Sequence, residues 1–280
     1  MRQVLMIAAL PLSAAGLGLL MWSGMTTALL QLRPPGSSAL HQLQLIGMLL
    51  GSALLVCGML IRRAAPAPRL PTAPPGRRTR LLVWTTLGIS VVLCALLIFG
   101  AWMRGGVGLA VLGVVQMLAA FGAVAAMASD HARPPSPPAW QQPLVLPVHL
   151  LLAMSTGLAL LYLLMDRLLV SGSDGRTMLA TLTGLGACLA LCKLVYWRAI
   201  DRQAAAAVAL PRPGRGPRVA VVALAAGVPF AGWLLALSGT LPASALLVMA
   251  ASGVCAAALL EHRLFLGEAV PPARAAGHVS

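Results

Sequence analysis

Long apolar runs separated by short polar breaks make up most of this chain. They show neither the two-residue alternation of a half-buried strand nor the stripe of an amphipathic helix. Each is apolar on every side and about twenty residues long, the length of helix that crosses the hydrocarbon of a bilayer. Eight such spans fall at approximately 4–32, 43–61, 81–103, 107–128, 144–165, 178–197, 219–239 and 243–266. The pattern predicts an all-α polytopic membrane protein of eight transmembrane helices, because in lipid every backbone N–H and C=O must be paired within its own segment.

The spans divide at a proline-rich stretch, Ser129 to Pro143, that runs into the apolar segment Leu144 to Met165. Prolines cannot continue a helix, and Trp140 ahead of a span suits the water–lipid boundary. The expected organisation is a first four-helix membrane group over 1–128, a connecting loop over 129–143, a second four-helix group over 144–266 and a polar tail over 267–280. Small residues in the first span (Ser13-Ala-Ala-Gly-Leu-Gly18) and Gly47-Met-Leu-Leu-Gly51 in the second fit close helix packing. Trp84, Trp102 and Trp197 sit at span ends, as interfacial anchors do. The N-terminal run is too long for the h-region of a signal peptide and reads as a retained first span.

Composition agrees. Hydrophobic residues make up 59% and charged residues 9% of the 280 positions, against about a quarter charged in soluble domains. The formal charge is +14. The basic residues lie almost entirely outside the spans and lack the interleaved aromatics that stack on bases, which argues against nucleic acid and for membrane lipid headgroups. The five cysteines all lie in apolar runs, with no Cys-x-x-Cys pair. They read as small buried core residues, so no metal or haem is expected in this chain. Of the 20 Lys and Arg, 16 fall on the side holding both termini and the 2–3, 4–5 and 6–7 connections. The positive-inside rule places that side, with both termini, in the cytoplasm.

Ionisable residues at or inside the membrane are costly and therefore functional candidates. Asp130, His131, His149, Lys193, Glu261, His262 and Glu268 all lie toward the basic side, and His149 is the sharpest, well inside its span. The alternatives are structural: Lys193 and Tyr196 snorkelling at a helix end, Glu261 paired with an arginine, Asp130 and His131 solvated in a loop. There is no metalloprotease His-Glu-x-x-His, no phosphate-binding glycine loop and no nucleophile elbow, so the chain by itself reads as a non-catalytic subunit.

Three segments carry a resemblance. Pro138-Ala-Trp-Gln-Gln-Pro143 runs into Leu150 to Gly157; Lys193-Leu-Val-Tyr-Trp-Arg-Ala-Ile-Asp-Arg202 closes the sixth span; Glu261-His-Arg-Leu-Phe-Leu-Gly-Glu-Ala269 closes the eighth. In this order they resemble the membrane-anchor subunit of the dimethyl sulfoxide reductase family, within the wider polysulfide-reductase-like anchors. The resemblance implies a bacterial inner-membrane anchor for a molybdopterin catalytic subunit and an iron–sulfur electron-transfer subunit. It also implies quinol (menaquinol or ubiquinol) as substrate, oxidised in anaerobic electron transport. In that setting His149, Glu261, His262, Asp130 and His131 are the candidate quinol-binding residues. The family's His-Leu-Gly turn and Ser-x-Glu are replaced by Ile61-Arg-Arg-Ala-Ala65 and Arg80-Leu-Leu-Val-Trp84, which shifts quinol handling to groups such as His149 and Glu261. The competing readings are a small-molecule transporter, to which Pro147 and Gly227-Val-Pro229 lend broken helices, and an anchor or assembly protein without quinol oxidation.

Overall fold

The computed structural model describes residues 2–31, 38–64, 76–99, 106–133, 138–169, 174–206 and 215–268. Trp102, residues 65–75 and 207–214 of the two arginine-rich connections, and the tail beyond Glu268 lie outside the described residues. Eight helices are long and apolar enough to cross a membrane. They are α1 (Arg2–Gln31), α2 (Ser38–Ala64), α3 (Arg77–Ile98), α4 (Val107–Ala132), α5 (Val145–Leu168), α6 (Gly175–Ala206), α7 (Arg215–Ser238) and α8 (Ala243–Gly267). A single 3-10 turn, Pro138–Gln141, lies between α4 and α5, and no strand occurs among the described residues. The protein is an all-α, multi-pass membrane protein.

Several helix ends differ from expectation by a few residues: α2 begins at Ser38 rather than 43, α3 runs from Arg77 to Ile98 rather than over 81–103, and two further ends bear on the candidate residues. Helix α4 continues through Ser129–Ala132, so Asp130 and His131 sit on a helix rather than in the loop. Helix α6 runs nine residues past the expected end at Trp197. Hydropathy falls where the lipid ends, but a helix with satisfied backbone bonds can continue into water.

Helix α1 is the hub. It packs on α2, α4 and α5, and its three glycines face those three neighbours in turn. A Cβ on Gly16 would lie 2.6 Å from the Leu55 backbone N, and one on Gly24 2.6 Å from the Gly113 carbonyl. A Cβ on Gly18 would lie 1.8 Å from the Ala153 carbonyl of α5, and one on Gly157 only 2.1 Å from Gly18 itself. Backbones this close gain dispersion contacts, which in lipid replace the missing hydrophobic drive. The Trp22 indole N–H adds a hydrogen bond to the Met154 carbonyl at 2.9 Å. Helix α3 packs chiefly on α4 and turns Leu81, Val91 and Ile98 outward, each more than 60% exposed, as a lipid-facing surface requires. Helices α6, α7 and α8 pack on one another, and α5 joins them to α1.

Several hydroxyls inside the spans return to their own backbone, while Ser52 and Ser90 bond each other across α2 and α3 at 2.9 Å. Ser13, Thr27, Thr86 and Thr156 each donate to the carbonyl four residues earlier. Helix α7 is interrupted by a π turn at Ala223–Gly227, closed by the Val228 N–H on the Ala223 carbonyl. Pro229 explains it: proline has no N–H for the carbonyl four residues back, so the ladder widens by one residue. That carbonyl, on Ala225, is pressed against Gly186 of α6, where a Cβ would meet it at 2.2 Å. Pro147 falls in the first turn of α5, where a missing N–H costs nothing.

Candidate functional site

The ends of α4, α5 and α8 that carry the ionisable candidates meet at one end of the bundle. His131 is the last but one residue of α4, His149 lies in the opening turns of α5, and Glu261 and His262 are near the end of α8. These four side chains line one cavity of about 40 Å³, with room for roughly three water molecules. Leu10, Pro11 and Ala14 of α1 form much of its apolar wall, with Met127 and Leu152 beside the histidines. Four of the five sequence candidates therefore converge.

Asp130 is placed elsewhere. Its carboxylate accepts the Gly76 N–H at 2.8 Å and the Thr79 hydroxyl at 2.6 Å, and it pairs with Arg133 at 3.3 Å. Gly76 has no side chain to cap α3, and the carboxylate from α4 takes the Gly76 N–H and the Thr79 hydroxyl, which anchors the start of that helix. Asp130 joins α3 to α4 and is absent from the cavity lining.

Backbone contacts fix the tautomers of two histidines. His131 Nδ1 lies 2.7 Å from the Met127 carbonyl, and His149 Nδ1 2.9 Å from the Val145 carbonyl. A carbonyl only accepts, so both Nδ1 atoms carry hydrogen and each neutral ring keeps Nε2 as its proton acceptor. The two rings stack 5.6 Å apart, and Phe265 stands edge-on to both, at 5.6 Å and 5.1 Å. Phe265 in turn stacks on Trp140 at 4.8 Å, while the Trp140 N–H caps the Phe265 carbonyl at 3.0 Å. Trp140 is 1% exposed and stands edge-on to His131 at 5.7 Å: it packs behind the histidines and is not the interfacial anchor its position ahead of a span suggested.

Behind Glu261 lies its partner. Lys193 Nζ of α6 donates to Glu261 Oε1 at 2.6 Å, and the two side chains are 1% and 2% exposed. Lys193 therefore does not snorkel, and the partner of Glu261 is this lysine rather than an arginine. The ammonium also sits over the rings of Tyr196, at 4.3 Å, and Trp197, at 4.8 Å. Arg218 also lies over the Trp197 ring, at 5.4 Å, and is held by both oxygens of Asp201. Trp197, expected as an interfacial anchor, is thus buried with two cations against its ring. The Tyr196 hydroxyl donates to Glu268 Oε2 at 3.0 Å, just past the end of α8. Burial pushes the Glu268 carboxyl above its usual range.

Lys193 and Glu268 stood among the ionisable candidates of the sequence, but their pairing with Glu261 and Tyr196 was missed, although a signal for it exists. Lys193, Tyr196 and Trp197 fall at i, i+3, i+4 on α6, and Glu261, Phe265 and Glu268 at i, i+4, i+7 on α8. Each set shares one face of its helix. A basic-aromatic face and an acidic-aromatic face are complementary.

No protein-family model matches this chain, and no curated protein matches it either.

Proposed function

We propose that this chain is the membrane-anchor subunit of a dimethyl sulfoxide reductase-type complex, and that quinol is oxidised at the cavity between α1, α4, α5 and α8. The observation that carries the reading is the convergence of three histidines and one carboxylate, from three helices, on a single apolar-walled cavity inside a membrane bundle. Oxidation of a quinol to a quinone releases two protons and two electrons. The Nε2 atoms of His131 and His149, His262 and the Glu261 carboxylate are the proton acceptors. The electrons leave to the iron–sulfur subunit, and from there to the molybdopterin subunit, both tethered by this chain. Entry of a quinol ring moves the flexible ends of Leu10, Met127 and Leu152 aside, as side chains at binding sites commonly do. In this reading the membrane is the bacterial inner membrane and the basic end of the bundle, with both termini, faces the cytoplasm.

Equilibrium binding of a short-tailed ubiquinone or menaquinone analogue to the detergent-solubilised full chain tests the quinol half. His149→Ala and His262→Ala are expected to weaken binding about tenfold or more, and unchanged affinity in both would refute it. Deletion of the chain beside a co-expressed reductase tests the anchoring half, with loss of the reductase from the membrane fraction expected. The π turn in α7 is the one feature that favours a transporter. Its freed carbonyl packs against Gly186 instead of lining the cavity, which argues for the first reading.

A further inference from the structure

We infer that Lys193 is a mobile counter-charge shared between two carboxyl groups, Glu261 and Glu268, so that a proton gained by Glu261 from the cavity drives a proton off Glu268. The inference rests on the acceptor role of Glu261 in the proposed quinol site, and it adds a route by which protons leave that site.

Three observations carry it. The Lys193 ammonium is fully buried and touches Glu261 on one side. On its other side lies the Tyr196 ring, whose hydroxyl holds Glu268 Oε2. The remaining oxygen, Glu268 Oε1, is buried with no hydrogen-bond partner. One phenol ring therefore separates the lysine from a second carboxyl group that has an unsatisfied oxygen. Arg218, the other cation nearby, is held by both oxygens of Asp201, so Lys193 is left to compensate one buried carboxylate, and a second would be uncompensated. With Lys193 on Glu261, Glu268 keeps its proton.

Uptake of a proton at Glu261 reverses the arrangement. The neutral acid no longer holds the ammonium, and the four-carbon lysine stem rotates to Glu268. Glu268 then ionises and its proton leaves at the basic end of the bundle. One proton is gained and one lost, Lys193 stays charged, and no electrons move. The cycle closes when the Glu261 proton crosses to Glu268 and the lysine returns. Other charged or titratable groups face the pair. His149 of α5 and His262 of α8 act on Glu261, Arg218 of α7 acts on Glu268, and Arg62 of α2 acts on His262.

Infrared spectroscopy of the full chain in lipid nanodiscs at neutral pH, reading the C=O stretch of protonated carboxyl groups, tests this. The wild type is expected to show one such group, and Glu268→Gln to abolish it. Glu261→Gln mimics the protonated acid, so Lys193 should transfer and the Glu268 band should disappear. Lys193→Met should instead double the band, with both carboxyls protonated. A Glu268 band that persists in Glu261→Gln, or a band that does not grow in Lys193→Met, overturns the inference. Binding of the quinone analogue to Glu268→Gln separates the two levels. Coupling without binding sinks the quinol reading and leaves the counter-charge standing, whereas binding without coupling does the reverse.

Discussion

A lysine that is 1% exposed in a membrane bundle is held there by its partner. Removing the ammonium leaves Glu261 charged in a dry region, or forces it to take up a proton. Lys193→Met should therefore cost about 3–5 kcal/mol. The double variant Lys193→Met/Glu261→Gln should regain most of that loss. Reversible unfolding in mixed detergent micelles measures both, and equal stability of single and double variants would remove the ion pair from the account. Glu268 makes a prediction of opposite electrostatic sense. Its ordinary value is 4.5 and burial raises it in the folded chain. Below the ordinary value both states are protonated and stability is whole. As pH rises past it, only the unfolded carboxyl ionises at first, so stability falls until the folded carboxyl ionises too. Glu268→Gln should flatten that decline in a pH series of unfolding curves.

Among the helices, close approach decides what a substitution does. Gly18→Ala places a methyl into the α5 backbone and should cost about 1–3 kcal/mol by forcing α1 and α5 apart. Gly88→Ala on α3 meets nothing within 4 Å and should be near neutral in the same unfolding assay. Asp130→Ala removes the anchor at the start of α3 and should cost about 1 kcal/mol, with faster amide exchange confined to the first turn of that helix. At this scale the sequence was a good guide. All eight helices were legible because an unbroken apolar run has only one use in lipid. The small residues of α1 and the Gly47/Gly51 pair were legible as packing surfaces, though not the helix each would meet. The extension of α6 to Ala206 was not, since Arg198, Asp201 and Arg202 mark the edge of the lipid without ending the helix.

For the molecule as a whole, charge and packing make separate predictions. Reporter fusions in the 2–3 and 6–7 connections and at both termini should all report the same face of the membrane, as the 16-to-4 division of Lys and Arg requires. Discordant reporters would remove the orientation, though not the bundle. The site was half legible. Scarcity of charge in the spans singled out His131, His149, Glu261 and His262, and the helix ends bring them together. Asp130 was drawn to the same list by position alone, yet one step along a helix turns a side chain through about 100°, enough to send it to α3. The pairing of Lys193 with Glu261, 68 residues apart, depends on how α6 and α8 are set against each other, which no local pattern encodes.

The contact of Gly18 with Gly157 has a consequence for assembly. At that contact the seam between the halves is built by helix surfaces alone, α1 against α5. Two polypeptides, one ending and the other beginning within the proline-rich segment, should thus find each other when made in the same cell. A methyl at either glycine should leave them as strangers in the same bilayer.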